Sequence, residues 1–229
     1  PLMVQTPEIE NASQITWSFG DESIDSNSQM ATHVYTNESS NTETYTLTAQ
    51  GVSGYGCIGV FSTPITLNPQ PVAHFMTDIS EGCSPLVVNV LENSSHAVDL
   101  IWNYGDGNSS SEATDETFQY SYENHGEETN THEISLTVIG DGGCLDVQVL
   151  DINVFPEVHS QFSAPPATCS PFSATFTNEG SENELYNWNF GDGEVSEDEN
   201  PTHVFTNPSS NQDAYLDVTL TVTSAMGCS

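Results

Sequence analysis

Apolar and polar residues alternate along this chain in short runs. Leu2, Val4 and Thr6 alternate first, then Ile15, Trp17 and Phe19, then Tyr45, Leu47 and Ala49. The spacing returns in Leu86, Val88 and Val90, in Leu100, Trp102 and Tyr104, and in Ile134, Leu136 and Val138. It returns again in Phe172, Ala174 and Phe176, in Tyr186, Trp188 and Phe190, and in Val218, Leu220 and Val222. A period of two puts each run on one face of a β-strand. Clusters of Gly, Asn, Ser and Pro separate the runs, and no stretch carries the 3.6-residue period of an amphipathic helix. The expected fold class is all-β, as antiparallel β-sandwiches in tandem. One run is irregular. Leu145, Val147 and Val149 begin it, and the apolar phase then moves to Ile152 and Val154, which predicts a bulge or a strand that changes sheets.

A longer repeat orders these runs. Trp17-Ser18-Phe19-Gly20-Asp21-Glu22 returns as Trp102-Asn103-Tyr104-Gly105-Asp106-Gly107 and as Trp188-Asn189-Phe190-Gly191-Asp192-Gly193. The tryptophans are 85 and 86 residues apart, which marks an array of like units. Prolines 69, 71 and 156 lie between units, so the expected domains are residues 1–67, 68–154 and 155–229. Pro1-Leu2 aligns with Pro85-Leu86 and Pro171-Phe172. The first unit is therefore expected to lack its opening strand and the third its closing strand. Trp17, Trp102 and Trp188 are the expected core anchors. Asp21, Asp106 and Asp192 are the expected turn formers, because an aspartate at a strand-ending glycine can bond nearby amides.

The five cysteines fall at matching places in the units. Cys83 and Cys144 are 61 residues apart, and Cys169 and Cys228 are 59 apart. These spacings predict two disulfides, each within one unit. Cys57 is left without the partner that would precede Pro1. There is no Cys-x-x-Cys pair to favour a metal site. Disulfides imply an oxidising, extracellular location.

Charge changes the picture of partners. The chain has 33 acidic residues and no Lys or Arg. Nucleic-acid binding needs cations to displace counterions, so that class is excluded. Docking on anionic lipid is disfavoured, and no apolar run has membrane-spanning length. The carboxylates can serve as a solvated, mutually repelling surface. They can also hold divalent cations. The calcium candidates are Asp106, Glu112, Asp115, Asp192, Glu197 and Asp198, though their spacing differs between units and matches no EF-hand loop. No Ser-His-Asp or Cys-His set recurs with usable spacing, so the chain is not expected to be an enzyme. His33 and His203 occupy equivalent positions that Tyr120 fills in the second unit, which favours packing over ligation.

Cys-Ser-Pro, the Trp-x-Phe/Tyr-Gly-Asp corner, Thr-His-Val-Tyr/Phe, an alternating apolar strand and Gly-Cys together resemble the PKD domain family. The Cys-Ser-Pro to Gly-Cys variant is similar to tandem copies in very long bacterial surface proteins, including adhesins of gliding bacteria exported by the type IX route. The resemblance implies immunoglobulin-like sandwiches serving as spacer, stalk or adhesive module, with neighbouring domains of the same chain as partners. Surface polysaccharide or protein ligands are further partners it allows. The other functional expectations are a calcium- or carbohydrate-binding accessory module of a secreted enzyme, and a surface-layer protein of a halophile. A sugar site would present exposed aromatics, whereas the aromatics here are expected to point inward.

Overall fold

The structure is a computed structural model that describes residues 1–26, 28–111, 117–166, 169–181, 184–209 and 211–229. Strands and turns make up these residues, and no helix occurs among them. Two compact units are present. The first joins Pro1–Met76, Leu91–Glu116 and Ser135–Val149, and the second joins Thr77–Val90, Thr117–Ile134 and Leu150–Ser229. The second sequence repeat contributes to both.

The first repeat supplies β1 (Leu2–Gln5), β2 (Gln14–Ser18), β3 (Ile24–Ser26), β4 (Thr32–Tyr35), β5 (Glu43–Val52) and β6 (Ile58–Leu67). β1 pairs antiparallel with β4, placing Leu2 opposite Tyr35. β2 lies between β3 and β5, and β5 pairs with β6 from Glu43–Leu67 to Val52–Ile58. The alternation sets which side chains face inward. Ile15, Trp17, Phe19, Ala31, Tyr35, Leu47, Ala49 and Leu67 close one apolar core.

The second repeat supplies β7 (Phe75–Thr77), β8 (Glu81–Cys83), β9 (Leu86–Glu92), β10 (Ala97–Asn103), β11 (Ser109–Ser110), β12 (Phe118–Tyr122), β13 (Asn130–Gly140) and β14 (Leu145–Phe155). Within the first unit, β10 pairs with β11 and with the Ser135–Gly140 part of β13. There Phe75 meets Trp102 edge-on at 5.0 Å. Within the second unit, β12 pairs antiparallel with β9, and β8 pairs parallel with the end of β14.

The expected break in β14 does not occur. The strand runs from Leu145 to Phe155, and its even-numbered positions face inward throughout. Leu145, Val147 and Val149 are exposed, while Ile152 and Val154 are fully buried. The inward places of the first half are held by Asp146 and Gln148. Asp146 Oδ2 accepts the Ala73 amide at 2.8 Å. Gln148 accepts the Phe75 N–H at 2.8 Å and donates to the Phe75 carbonyl at 3.1 Å. Its side-chain amide thus stands in for the peptide of a neighbouring strand and satisfies a buried residue's backbone. The apolar phase shifts because polar side chains are used inside, not because the strand bends.

The third repeat supplies β15 (Phe162–Ser163), β16 (Phe172–Thr175), β17 (Thr177–Asn178), β18 (Leu185–Asn189), β19 (Val195–Ser196), β20 (Thr202–Phe205) and β21 (Thr219–Thr223). β18 lies between β19 and β21, β16 pairs with β20, and β15 with β17. Ala174, Phe176, Tyr186, Trp188, Phe190 and Val222 form its core.

The cysteine pairing differs from expectation. Cys83 is bridged to Cys228, 145 residues away, with a Cα–Cα distance of 5.6 Å. The expected pairs Cys83–Cys144 and Cys169–Cys228 are absent, and Cys57, Cys144 and Cys169 are free and exposed. Strand length explains the correction. Cys83 ends β8 in register with Phe155, the last residue of β14, whereas Cys144 immediately precedes the first. The 11 residues of β14 span roughly 34 Å at about 3.4 Å each. A disulfide needs Cα atoms within about 7 Å.

Candidate functional site

The most repeated piece of chemistry is the corner after each anchor strand. The Phe19 amide donates to the Ser23 carbonyl, Tyr104 to Asn108 and Phe190 to Glu194, each at 3.1 Å. Inside this turn the aspartate Oδ1 accepts the amide two residues on: Ser23 for Asp21 (3.1 Å), Asn108 for Asp106 (2.9 Å) and Glu194 for Asp192 (3.1 Å). Gly20 and Gly191 have φ of +82° and +79°. A Cβ on Gly20 would lie 2.6 Å from the Thr46 amide nitrogen, and one on Gly191 would lie 2.7 Å from the Asp217 carbonyl oxygen. Both the backbone angle and the close approach of a neighbouring backbone therefore demand glycine.

The second carboxylate oxygen reaches across to β4 or β20. His33 Nε2 lies 2.6 Å from Asp21 Oδ2, and His203 Nε2 lies 2.8 Å from Asp192 Oδ2. Each imidazole stacks on the aromatic that follows β2 or β18, His33 on Phe19 and His203 on Phe190, with ring centroids 4.1 Å apart in both. The Tyr35 hydroxyl closes the first corner by donating to the Phe19 carbonyl at 2.9 Å. Burial works against ionisation of Asp21, but hydrogen bonds from Ser23 and His33 outweigh it and hold the carboxyl at about 2. The His203 hydrogen bond, followed by the Glu194 amide, lowers Asp192 from its ordinary value. Burial lifts the Tyr35 hydroxyl, and the Asp21 charge adds to the shift.

The first corner brings a serine, a histidine and an aspartate together, so its competence for nucleophilic chemistry can be judged. Ser23 Oγ donates to Asp21 Oδ1 and lies 3.4 Å from His33 Nε2. Asp21 contacts that same ring nitrogen. A relay needs the carboxylate on one imidazole nitrogen and the nucleophile on the other. Here one nitrogen serves both, and the third repeat has Glu194 in place of Ser23. The corner is a packed latch.

The three tryptophans are buried, at 3% exposure for Trp17, 2% for Trp102 and 0% for Trp188. Trp17 Nε1 donates to the Ser28 carbonyl at 3.0 Å and Trp188 Nε1 to the Asp198 carbonyl at 2.9 Å. The indoles of Trp17 and Trp188 thus pin the polar stretch that follows their corners. Of the calcium candidates, Glu112 and Asp115 lie outside the described residues. Asp106 uses both oxygens on Asn108, and Asp192 uses its oxygens on Glu194 and His203. Asp198 Oδ2 accepts the Ser196 hydroxyl, and Glu197 is exposed. Among the described residues no group of three His, Cys, Asp or Glu side chains is placed to hold a metal ion.

Two features escape a reading of the sequence. The first is an asparagine two residues after the β4, β12 and β20 aromatic: Asn37, Asn124 and Asn207. Asn37 Nδ2 donates to the carbonyls of Asn41 and Leu67, and Asn124 Nδ2 to those of Glu128 and Val154. The recurrence of Asn in three aligned places was the available signal. The second is aromatic exposure. Tyr55 is 99% exposed, Tyr215 90% and Phe61 68%, which corrects the expectation that the aromatics point inward. All three lie outside the anchor-strand motif. Tyr215 also lines an open cleft of about 710 Å³ in the third repeat with Phe172, Phe205 and Leu216.

The family model of the PKD domain matches residues 153–229. This stretch is similar to the PKD domain family. Its match covers β15 to β21, the Asp192–His203 latch and the Trp188 core. Solved structures similar to the chain include the PKD1 domain from the Vibrio cholerae metalloprotease PrtV, at 28% identity and a TM-score of 0.30, covering 38% of this chain and 98% of that one. A structure from a 1.5-MDa bacterial ice-binding adhesin is 11% identical, with a TM-score of 0.34 and coverage of 99% and 87%. A carbohydrate-binding module of the β-sandwich superfamily is 14% identical, with a TM-score of 0.34 and coverage of 68% and 84%. No curated protein matches the chain.

Proposed function

We propose that this chain is a non-catalytic structural and adhesive segment of an extracellular filament or adhesin that serves surface attachment or gliding motility. The observation that carries the reading is the repeated latch. The Asp21 and Asp192 carboxylates are held by a turn amide on one oxygen and by Nε2 of His33 or His203 on the other, and each imidazole stacks on Phe19 or Phe190. Groups held in this way stiffen a corner. The match of the PKD domain model to residues 153–229 supports the reading. The disulfide favours an oxidising compartment outside the cytoplasm. With 33 acidic residues and no Lys or Arg, repeats repel one another laterally and their contacts to polysaccharide or protein are weak and multivalent.

The test is replacement of this segment, within its surface protein, by a Gly/Ser linker of equal residue number. Attachment to a surface is expected to fall while display on the cell persists. Unchanged attachment would overturn the reading.

A further inference from the structure

The cysteines occupy two kinds of position. Cys83 and Cys169 each precede Ser-Pro. The following serine is held alike in both, with Ser84 Oγ accepting the Asn124 amide and Ser170 Oγ accepting the Asn207 amide, each at 2.8 Å. Cys57, Cys144 and Cys228 each close the turn after a strand, β5, β13 and β21 in that order. Their carbonyls accept the amides of Ser53 (2.9 Å), Gly140 (2.8 Å) and Ser224 (2.8 Å). Each local frame is thus rebuilt from repeat to repeat, and a partner that suits one member suits the others. The pair that is bonded, Cys83 with Cys228, joins a cysteine of the first kind to one of the second kind in the following repeat. The remaining members of both kinds are exposed thiols.

We propose that this bridge is the crosslinking rule of the array: a first-kind cysteine takes the second-kind cysteine of the repeat that comes after it. Cys169 is a crosslinking position for a second-kind cysteine of another repeat, and Cys57 and Cys144 are crosslinking positions for a first-kind one. The inference rests on the cysteine geometry and stands apart from the adhesive reading. Each bond forms as two thiols lose two electrons and two protons. A small-molecule disulfide such as oxidised glutathione takes both and departs as two thiols. Exposure of the three free cysteines gives such an oxidant access.

Two measurements on the intact chain test the rule. The first is alkylation without reductant, followed by mass mapping with a protease that cuts at acidic residues. The rule gives a Cys83–Cys228 linked peptide with Cys57, Cys144 and Cys169 alkylated, and one more alkylated thiol in Cys228→Ser. Alkylation of Cys57 alone, with Cys83–Cys144 and Cys169–Cys228 peptides, would overturn it. The second treats the concentrated chain with oxidised glutathione. Covalent oligomers linked Cys169–Cys57 or Cys169–Cys144, and lost in Cys169→Ser, are expected. Oligomers linked mainly through cysteines of one kind, or a chain that stays monomeric, would overturn the extension to other repeats.

Discussion

His33 Nε2 approaches Asp21 Oδ2 to 2.6 Å while its ring lies flat on Phe19. The aspartate so held sits at about 2, below its ordinary 3.8. A carboxylate with a depressed folded-state pKa adds stability above the unfolded value, and that share is lost as pH falls through the folded one. Asp21→Asn is therefore expected to lower stability near neutral pH by roughly 1.5–3 kcal/mol, the range for hydrogen bonds to a charged group. Thermal melts should show the wild-type advantage intact above pH 4 and shrinking as pH falls from about 4 toward 2. An advantage that grows as pH falls from about 4 toward 2 would refute the latch as the cause.

Glu22 occupies the turn position that Gly107 and Gly193 hold in the other repeats. Its φ is +72°, a left-handed angle, against +96° and +100° for the glycines. A side chain there carries strain of about 1 kcal/mol. Glu22→Gly is expected to stabilise the chain by up to about 1 kcal/mol, read as a raised denaturant midpoint at constant m-value. A fall in the midpoint would show that the side chain is needed.

Gln148 replaces a strand for Phe75, which is 1% exposed. Gln148→Ala leaves a buried backbone donor and acceptor short of partners, at a cost of about 1–3 kcal/mol. Amide hydrogen exchange at Phe75 should accelerate in the variant. Exchange as slow as in the parent would mean that another group satisfies that amide.

Trp188 is fully buried, meets Phe162 edge-on at 5.0 Å and anchors Asp198 through its indole N–H. Trp188→Ala is expected to cost about 3–5 kcal/mol. Chemical denaturation should show a large fall in midpoint, and wild-type-like unfolding would remove Trp188 from the role of core anchor.

Much of this fold was legible in the alternation of side chains. The runs through Ile15, Trp17 and Phe19 and through Leu100 and Trp102 are strands with those residues buried. The Gly-Asp corner was legible as a turn because only a few residue types suit its backbone. Its histidine partner was not, because β2 and β4 approach only in the folded chain. The phase shift in β14 misled for a specific reason: pattern reading takes inward positions to be apolar, and Asp146 and Gln148 are inward and polar. Cysteine pairing failed differently. Equal spacing within a repeat reveals equivalent positions but cannot tell a partner in the same repeat from one in the next. The length of β14 decides between them.

Single-molecule stretching between the two ends of the chain tests most directly whether the repeats form a tensile element stapled by the Cys83–Cys228 bridge. That bridge removes 145 residues from the extensible length. Without reductant the fully unfolded contour should reach about 29 nm, at about 3.5 Å for each residue outside the closed loop, and about 80 nm after reduction. A non-reduced contour near 38 nm, as two bridges confined to single repeats would leave, or one near 80 nm, would contradict the account.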